Sequence, residues 1–182
     1  MKRIIGISGS LRRGSFNTAL LNAAAPLMPD DAELVIESIA EVPLYNFDVE
    51  SSDGIPDPVA RLQDALEECD GLLLSTPEYN NSMPGVLKNT IDWLSRPPDD
   101  IPRVFGELPV ALMGASAGAY GTILSQVAWL PVLRTLGTEF WSGGRLQVAR
   151  AKDVFDDSGE LIDDAIRERL KKFLAGFVDF LS

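Results

Sequence analysis

The chain has 182 residues, 46% of them apolar and 24% charged, with a formal net charge of −11. That length suits one domain, residues 1–182, with a single full core; the acidic balance argues against a nucleic-acid partner, and no apolar run approaches the length of a membrane span. Histidine is absent and Cys69 stands alone, which excludes His-assisted nucleophiles, His-ligated metals, an intrachain disulfide and any multi-cysteine metal site.

The start of the chain runs from Lys2-Arg3 directly into a strand-like segment and carries no cleavable signal pattern, so a cytoplasmic location is expected. Short apolar runs then alternate with segments of helical period. The first strand is expected over Arg3–Ser8. A helix follows, with Phe16, Ala19, Leu20, Ala23 and Leu27 on one face and Ser15 as its N-cap. Glu33–Ser38 reads as the second strand, and Val59, Leu62, Leu66 and Cys69 form a helical stripe with Pro58 in the first turn. The third strand, Gly71–Thr76, leads to a helix over about Gly85–Leu94. Pro109–Gly114 is the fourth strand, and the helix after it, about Tyr120–Leu136, is expected to kink or split at Pro131. A looser strand region spans Glu139 to Ala149, and the last helix buries Ile162, Ile166, Leu170, Phe173, Leu174, Phe177 and Leu181. Two long connections, Ile39–Asp57 and the proline-rich Ser95–Leu108, either frame a site or are surface excursions.

Five strands alternating with five helices indicate an α/β fold with helices on both faces of a five-stranded parallel sheet. In the flavodoxin-like strand order 2-1-3-4-5, strands 1 and 3 flank the switch point where ligands bind. The loop after strand 1, Ser8-Gly9-Ser10-Leu11-Arg12-Arg13-Gly14-Ser15-Phe16-Asn17, has the composition of a phosphate cradle. Its glycines let the backbone approach an anion, the following helix turns its positive end toward it, and Ser8, Ser10, Ser15, Asn17 and the arginines can donate hydrogen bonds. Two adjacent arginines in so acidic a chain mark the loop as an anion site. The loop after strand 3, Ser75–Gly85, is a shaped turn carrying Tyr79, and Gly114–Gly121 after strand 4 is glycine- and alanine-rich enough for a flat ring to approach. A phosphate cradle beside an aromatic, backbone-rich slot fits flavin mononucleotide, FMN. The dinucleotide G-x-G-x-x-G pattern and the Walker lysine motif are absent.

The chain resembles the NADPH-dependent FMN reductase family, which includes bacterial chromate and quinone reductases and related azoreductases. The resemblance rests on Gly9-Ser10-Leu11-Arg12 with Ser15-Phe16-Asn17, and on Pro43-Leu44-Tyr45-Asn46 with Asp48 and Glu50. It continues in Pro77-Glu78-Tyr79-Asn80 with Ser82 and Pro84-Gly85, then in Leu87-Lys88-Asn89 and Ile91-Asp92-Trp93-Leu94. It implies a flavodoxin-like three-layer sandwich in which Ser10, Arg12, Ser15, Phe16 and Asn17 surround the FMN phosphate. Pro77, Glu78, Tyr79 and Asn80 meet the ribityl chain and ring largely through backbone groups, and Ser116 and Gly118 border the ring. Tyr120 departs from the family pattern. The resemblance further implies a hydride taken from NADPH or NADH onto FMN N5 with no catalytic side chain. The electrons pass to a small acceptor such as a quinone, free flavin, an azo compound or chromate, and the protein is a homodimer or homotetramer.

Other segments carry structural readings. Asp92 and Trp93 read as a helix acid and a packed aromatic, Lys88 as a helix-end contact, and Trp129, Phe140 and Trp141 as core or subunit-contact residues. Cys69 reads as a buried, inert thiol. The acids Asp153, Asp156, Asp157, Glu160, Asp163 and Asp164 lack calcium-loop spacing and suit the solvated start of the last helix. Two further readings of the fold stay open at this level: a flavodoxin-type electron carrier with no substrate of its own, and a nucleotide-binding regulatory protein.

Overall fold

The computed structural model describes residues 1–181. Strand β1 (Lys2–Ser8) lies at the centre of a parallel sheet, with β2 (Ala32–Glu37) on one side and β3 (Gly71–Ser75) on the other. Strand β4 (Pro109–Ala115) pairs with β3 in the register Leu72↔Val110. The order β2-β1-β3-β4, continued beyond β4 by β5 (Glu139–Phe140), is the one anticipated, so the chain reverses its direction of travel across the sheet between β1 and β3.

The central strands are buried on both faces, which is why they read as unbroken apolar runs rather than alternating ones. Ile4, Leu73, Ala111 and Met113 point into one core with Leu20 and Leu21 of α1 (Phe16–Ala24). Ile5, Ile7, Leu72, Leu74, Val110 and Leu112 point into a second core, against Val59, Leu62 and Leu66. That second core is roofed by α3 (Asp57–Glu67), α4 (Gly85–Leu94) and α6 (Ile123–Leu136), and the first by α1 and α8 (Asp164–Phe180), giving three layers. Between them lie α2 (Phe47–Asp53), α5 (Ile101–Phe105) and α7 (Ala151–Val154).

Several expectations are corrected. The fifth strand position is filled by two short strands, β5 (Glu139–Phe140) and β6 (Leu146–Val148), both paired to β4, so the sheet has six strands rather than five. The interruption is made by Trp141, whose indole drops into the core against Phe173, ring centroids 5.0 Å apart. A Cβ on Gly143 or Gly144 would sit 2.5 or 2.4 Å from that indole, so the intervening backbone has to be glycine.

Helix α6 begins at Ile123, not Tyr120, because Gly121 takes a φ of +64° and Thr122 is not helical. It then runs through Pro131 without splitting. Pro131 lies on the exposed side, where water can satisfy the carbonyl left without an N–H partner. Ile162 lies outside the last helix and is 58% exposed; Leu161 takes the buried position, and Asp163 caps α8 by accepting the Ile166 N–H at 2.9 Å. Cys69 falls beyond the end of α3 and is half-buried, its Sγ donating to the Leu66 carbonyl at 3.2 Å; burial pushes the thiol pKa up.

Neither long connection is plain loop. The first contains α2, capped by Asn46, whose Oδ1 accepts the Asp48 N–H at 2.9 Å. The second contains a 3₁₀ turn and α5, which buries Val104 and Phe105 against the α3/α4/α6 core.

Candidate functional site

Because all the strands are parallel, the loops after β1, β3 and β4 emerge at one edge of the sheet. Backbone hydrogen bonds tie them together there: Gly9 N–H to the Ser75 carbonyl at 2.8 Å, Thr76 N–H to Met113 at 2.9 Å and Ser116 N–H to Val148 at 2.9 Å. A Cβ on Gly9 would lie 2.9 Å from Pro77, and one on Gly114 would lie 2.2 Å from both Thr122 Oγ1 and the Thr76 carbonyl oxygen. Those two glycines allow the loops to approach this closely.

In the first loop, Ser15 is the N-cap of α1, its Oγ accepting the Asn17 and Thr18 N–H groups at 3.2 and 3.3 Å. Asn17 is buried, and its amide bridges the other two strand ends. Nδ2 donates to the Ala115 carbonyl at 2.9 Å, while Oδ1 accepts from the Ala115 N–H at 3.0 Å and the Ser75 hydroxyl at 3.1 Å. Ser10 and Arg12 remain reachable from solution. The Ser10 Oγ accepts the Arg12 N–H at 3.4 Å, and the exposed Arg12 guanidinium sits 5.3 Å from the centroid of the Phe16 ring. Of the five residues assigned to the phosphate, Ser10 and Arg12 thus present side chains outward, Ser15 and Asn17 are engaged in the scaffold, and Phe16 stacks on Phe155 at 6.0 Å.

In the second loop Pro77 is buried, and Tyr79 and Ser82 exchange both backbone hydrogen bonds at 3.0 Å. The two residues between them, Asn80 and Asn81, have φ values of 51° and 61°. This is a tight two-residue turn of the primed kind, and asparagine tolerates the left-handed region it needs. The turn holds the Tyr79 ring 46% exposed at the rim. Glu78 turns away from solution: its Oε2 accepts the N–H groups of Leu124 and Ser125 at 2.8 and 3.1 Å, a carboxylate placed on the positive end of α6.

Beneath the loop lies a buried cluster that sequence reasoning missed. The Thr76 hydroxyl is 2.8 Å from that of Ser125 and accepts the Trp129 Nε1–H at 3.1 Å. A polar residue between a buried strand and Pro77 was the available signal. In the third loop, the Ser116 Oγ donates to the Gly121 carbonyl at 2.7 Å, and the Gly118 carbonyl accepts the Arg150 N–H at 2.9 Å. Ala117–Tyr120 are exposed, Tyr120 at 83%.

The remaining motif residues brace the scaffold. The Pro43 carbonyl accepts from Asn89 Nδ2 at 2.8 Å and Trp93 Nε1 at 2.9 Å, and Tyr45 packs edge-on against Trp93 with centroids 4.9 Å apart. Tyr45 donates its hydroxyl to Glu50 at 2.8 Å, and Arg96 Nε donates to the same carboxylate at 2.9 Å. The Arg96 hydrogen bond holds the Glu50 carboxyl below its ordinary pKa, and the bond to Glu50 pushes the Tyr45 phenol up. Lys88 pairs with Asp92 one turn along α4, at 2.5 Å.

The arrangement suits FMN. Half-buried Ser10 and exposed Arg12 beside the first turn of α1 offer donors to a phosphate, and the Tyr79 ring lies at the same sheet edge as the glycine- and alanine-rich third loop. The sequence profile of the NADPH-dependent FMN reductase family matches residues 2–153. The chain is 41% identical to an NAD(P)H-dependent FMN reductase of Pseudomonas aeruginosa over 94% of this chain and 91% of that protein. It is 34% identical to a quinone reductase of Escherichia coli K12 over 98% and 95% of the two. Among solved structures it is similar to FerB, a flavoenzyme NAD(P)H:(acceptor) oxidoreductase from Paracoccus denitrificans, with a TM-score of 0.88 and 31% identity over 100% of this chain and 97% of that one. The likeness runs through all three loops and nearly the whole chain, and on it the protein belongs to the NADPH-dependent FMN reductase family, as an FMN-dependent NAD(P)H oxidoreductase.

Proposed function

We propose that the protein is a quinone or flavin reductase working from its three-loop edge, with azo compounds and chromate as further acceptors. The observation that carries this reading is the convergence of the phosphate-type loop, the Tyr79 turn and the Ser116–Gly121 loop at the β1/β3 switch point. Ser10, Arg12 and the positive end of α1, with its Phe16 N–H, hold the FMN phosphate. The backbone of Pro77–Asn80 and the Tyr79 ring support the ribityl chain and one side of the ring. Ser116 and Gly118 border its far edge. Glu78, Asn17 and Ser15 act one step back, fixing those loops. Bound FMN supplies hydride acceptance at N5 and two-electron delivery to a second small molecule. The protein's part is to orient the ring, leave one face open and offer backbone donors to charge on the ring.

The proposed setting is cytoplasmic; among the described residues no helix is long and apolar enough to cross a membrane. The proposed assembly is a homodimer or homotetramer. It is supported by an exposed apolar strip on α6, where Ile123, Leu124, Val127 and Leu130 are 39–56% exposed next to Tyr120 and Phe140.

Anaerobic titration with NADPH tests the activity. Flavin absorbance that bleaches without a partner reductase and returns on adding a benzoquinone is expected. A bound flavin that neither NADPH nor NADH bleaches overturns the reading in favour of an electron carrier.

A further inference from the structure

The peptide that joins Pro77 to Glu78 is fastened from beneath by buried polar groups. Its carbonyl accepts the Thr76 hydroxyl at 3.0 Å. Thr76, Ser125 and Trp129 are fully buried; the Thr76 Oγ1 lies 2.8 Å from the Ser125 hydroxyl and accepts the Trp129 Nε1–H at 3.1 Å. One arrangement of protons gives every group a partner. The indole can only donate, so Thr76 takes its N–H and the Ser125 proton on two lone pairs and gives its own proton to the Pro77 carbonyl. Were Thr76 to donate to Ser125 instead, the Ser125 proton and the Pro77 carbonyl would be left unpaired in the interior, which is costly.

A trans peptide points its C=O and its N–H in opposite directions, and the Pro77–Glu78 bond is trans. With the carbonyl drawn inward to Thr76, the Glu78 N–H faces away from α6. It makes no hydrogen bond among the described residues, whereas the N–H groups of Thr76 and Tyr79 on either side donate to Met113 and Ser82. Turning the peptide over would break the Thr76 bond. It would also disturb the Glu78 carboxylate, which is held by the Leu124 and Ser125 N–H groups, and the Pro77 ring, which packs so closely that a Cβ on Gly9 would lie 2.9 Å from it.

On the reading that FMN lies at this edge, we infer that Thr76, backed by Ser125 and Trp129, is a positioning residue that locks the Glu78 N–H outward as a donor to N5 of the flavin ring. N5 accepts a hydrogen bond when the flavin is oxidised and carries a hydrogen of its own once hydride has arrived. A fixed donor therefore favours the oxidised ring, and a peptide free to turn would offer the reduced ring its carbonyl instead. The lock lowers the two-electron potential of bound FMN, which favours passing electrons on to an acceptor.

The midpoint potential of bound FMN, measured against reference dyes in the parent, Thr76→Val and Thr76→Ser, tests the lock alongside urea unfolding. Thr76→Val removes the hydroxyl and should weaken binding of oxidised FMN relative to reduced FMN about 3- to 10-fold, the contribution of one neutral hydrogen bond. That ratio corresponds to a potential raised by about 15–30 mV. Thr76→Ser retains the hydroxyl and should keep the parent potential. A role confined to stability would lower the urea midpoint of Thr76→Val and leave its potential unmoved, which overturns the lock; so does a shift in Thr76→Ser as large as in Thr76→Val. Amide hydrogen exchange needs no substitution and decides the matter if Thr76→Val does not fold. The Glu78 N–H should become protected when FMN binds, more so with the flavin oxidised than reduced, and equal exchange with and without FMN overturns the lock. Failure of the parent reading looks different: Arg12→Ala then leaves FMN affinity unaltered. If Arg12→Ala weakens FMN binding while Thr76→Val keeps the parent potential, the lock alone is rejected.

Discussion

Asn17 grips the end of β4 with both ends of its amide, donating from Nδ2 to the Ala115 carbonyl at 2.9 Å and accepting the Ala115 N–H on Oδ1 at 3.0 Å. The same oxygen takes the Ser75 hydroxyl at 3.1 Å, so one side chain from the first loop locks the ends of β3 and β4. Asn17→Ala leaves these buried groups unpaired and should lower stability by about 2–3 kcal/mol. Urea unfolding of the flavin-free protein checks it; a midpoint unchanged from the parent would show that the bridge contributes nothing.

Arg12 is exposed, over Phe16, and free to turn toward an anion. Replacing it with alanine removes a charge-assisted hydrogen bond worth roughly 1.5–3 kcal/mol, so FMN affinity should fall about 10- to 100-fold. Fluorescence titration of the apoprotein reads this, and an unaltered affinity sinks the phosphate assignment.

Glu78 stabilises the N-terminus of α6 from another loop. Glu78→Ala should cost about 1–2 kcal/mol, the range of a lost helix cap, and Glu78→Gln less because an amide oxygen still accepts. If alanine and glutamine behave alike in urea unfolding, the carboxylate is not acting as a cap.

Glu50 fastens the α2 connection to α4 through Arg96 and Tyr45. Its pKa is lowered in the folded chain, chiefly by the Arg96 hydrogen bond. Its stabilising contribution is therefore complete above the ordinary carboxylate value of about 4.3 and is lost as pH falls through the lower folded value. Acid titration followed by Trp93 fluorescence, sensitive to the packed Tyr45, should show a transition below that value that Glu50→Gln abolishes. A transition that persists in the glutamine variant would assign it to another group.

The apolar strip on α6 offers a test of assembly. Val127, 56% exposed, contributes little to the fold of one chain, so Val127→Glu should leave it folded and reduce the mass measured by sedimentation to that of a monomer. An assembly that survives the charge is held by another surface.

Much of the site was legible because its signals are local. Ser15 caps the helix that begins at Phe16, Pro77, Pro84 and Gly85 mark the shaped turn that carries Tyr79, and Ile4, Ile5 and Ile7 announce a buried strand. The side chains of Glu78 and Asn17 also support neighbouring loops, a role their place along the chain does not reveal. Nothing near them in sequence names their partners.

The sequence by itself determined the four long strands, the helices α1, α3, α4, α6 and α8 and the loops that join them, because hydrophobic period, capping and turn chemistry act over a few residues. Tertiary structure alone decided that Asn17 meets Ala115, 98 residues on, that Glu78 meets Leu124, 46 residues on, and that Trp141 divides the fifth strand position in two. It also brought Thr76 to Ser125 and Trp129. Partners so far apart are selected by sheet register and close packing, which depend on the whole chain at once.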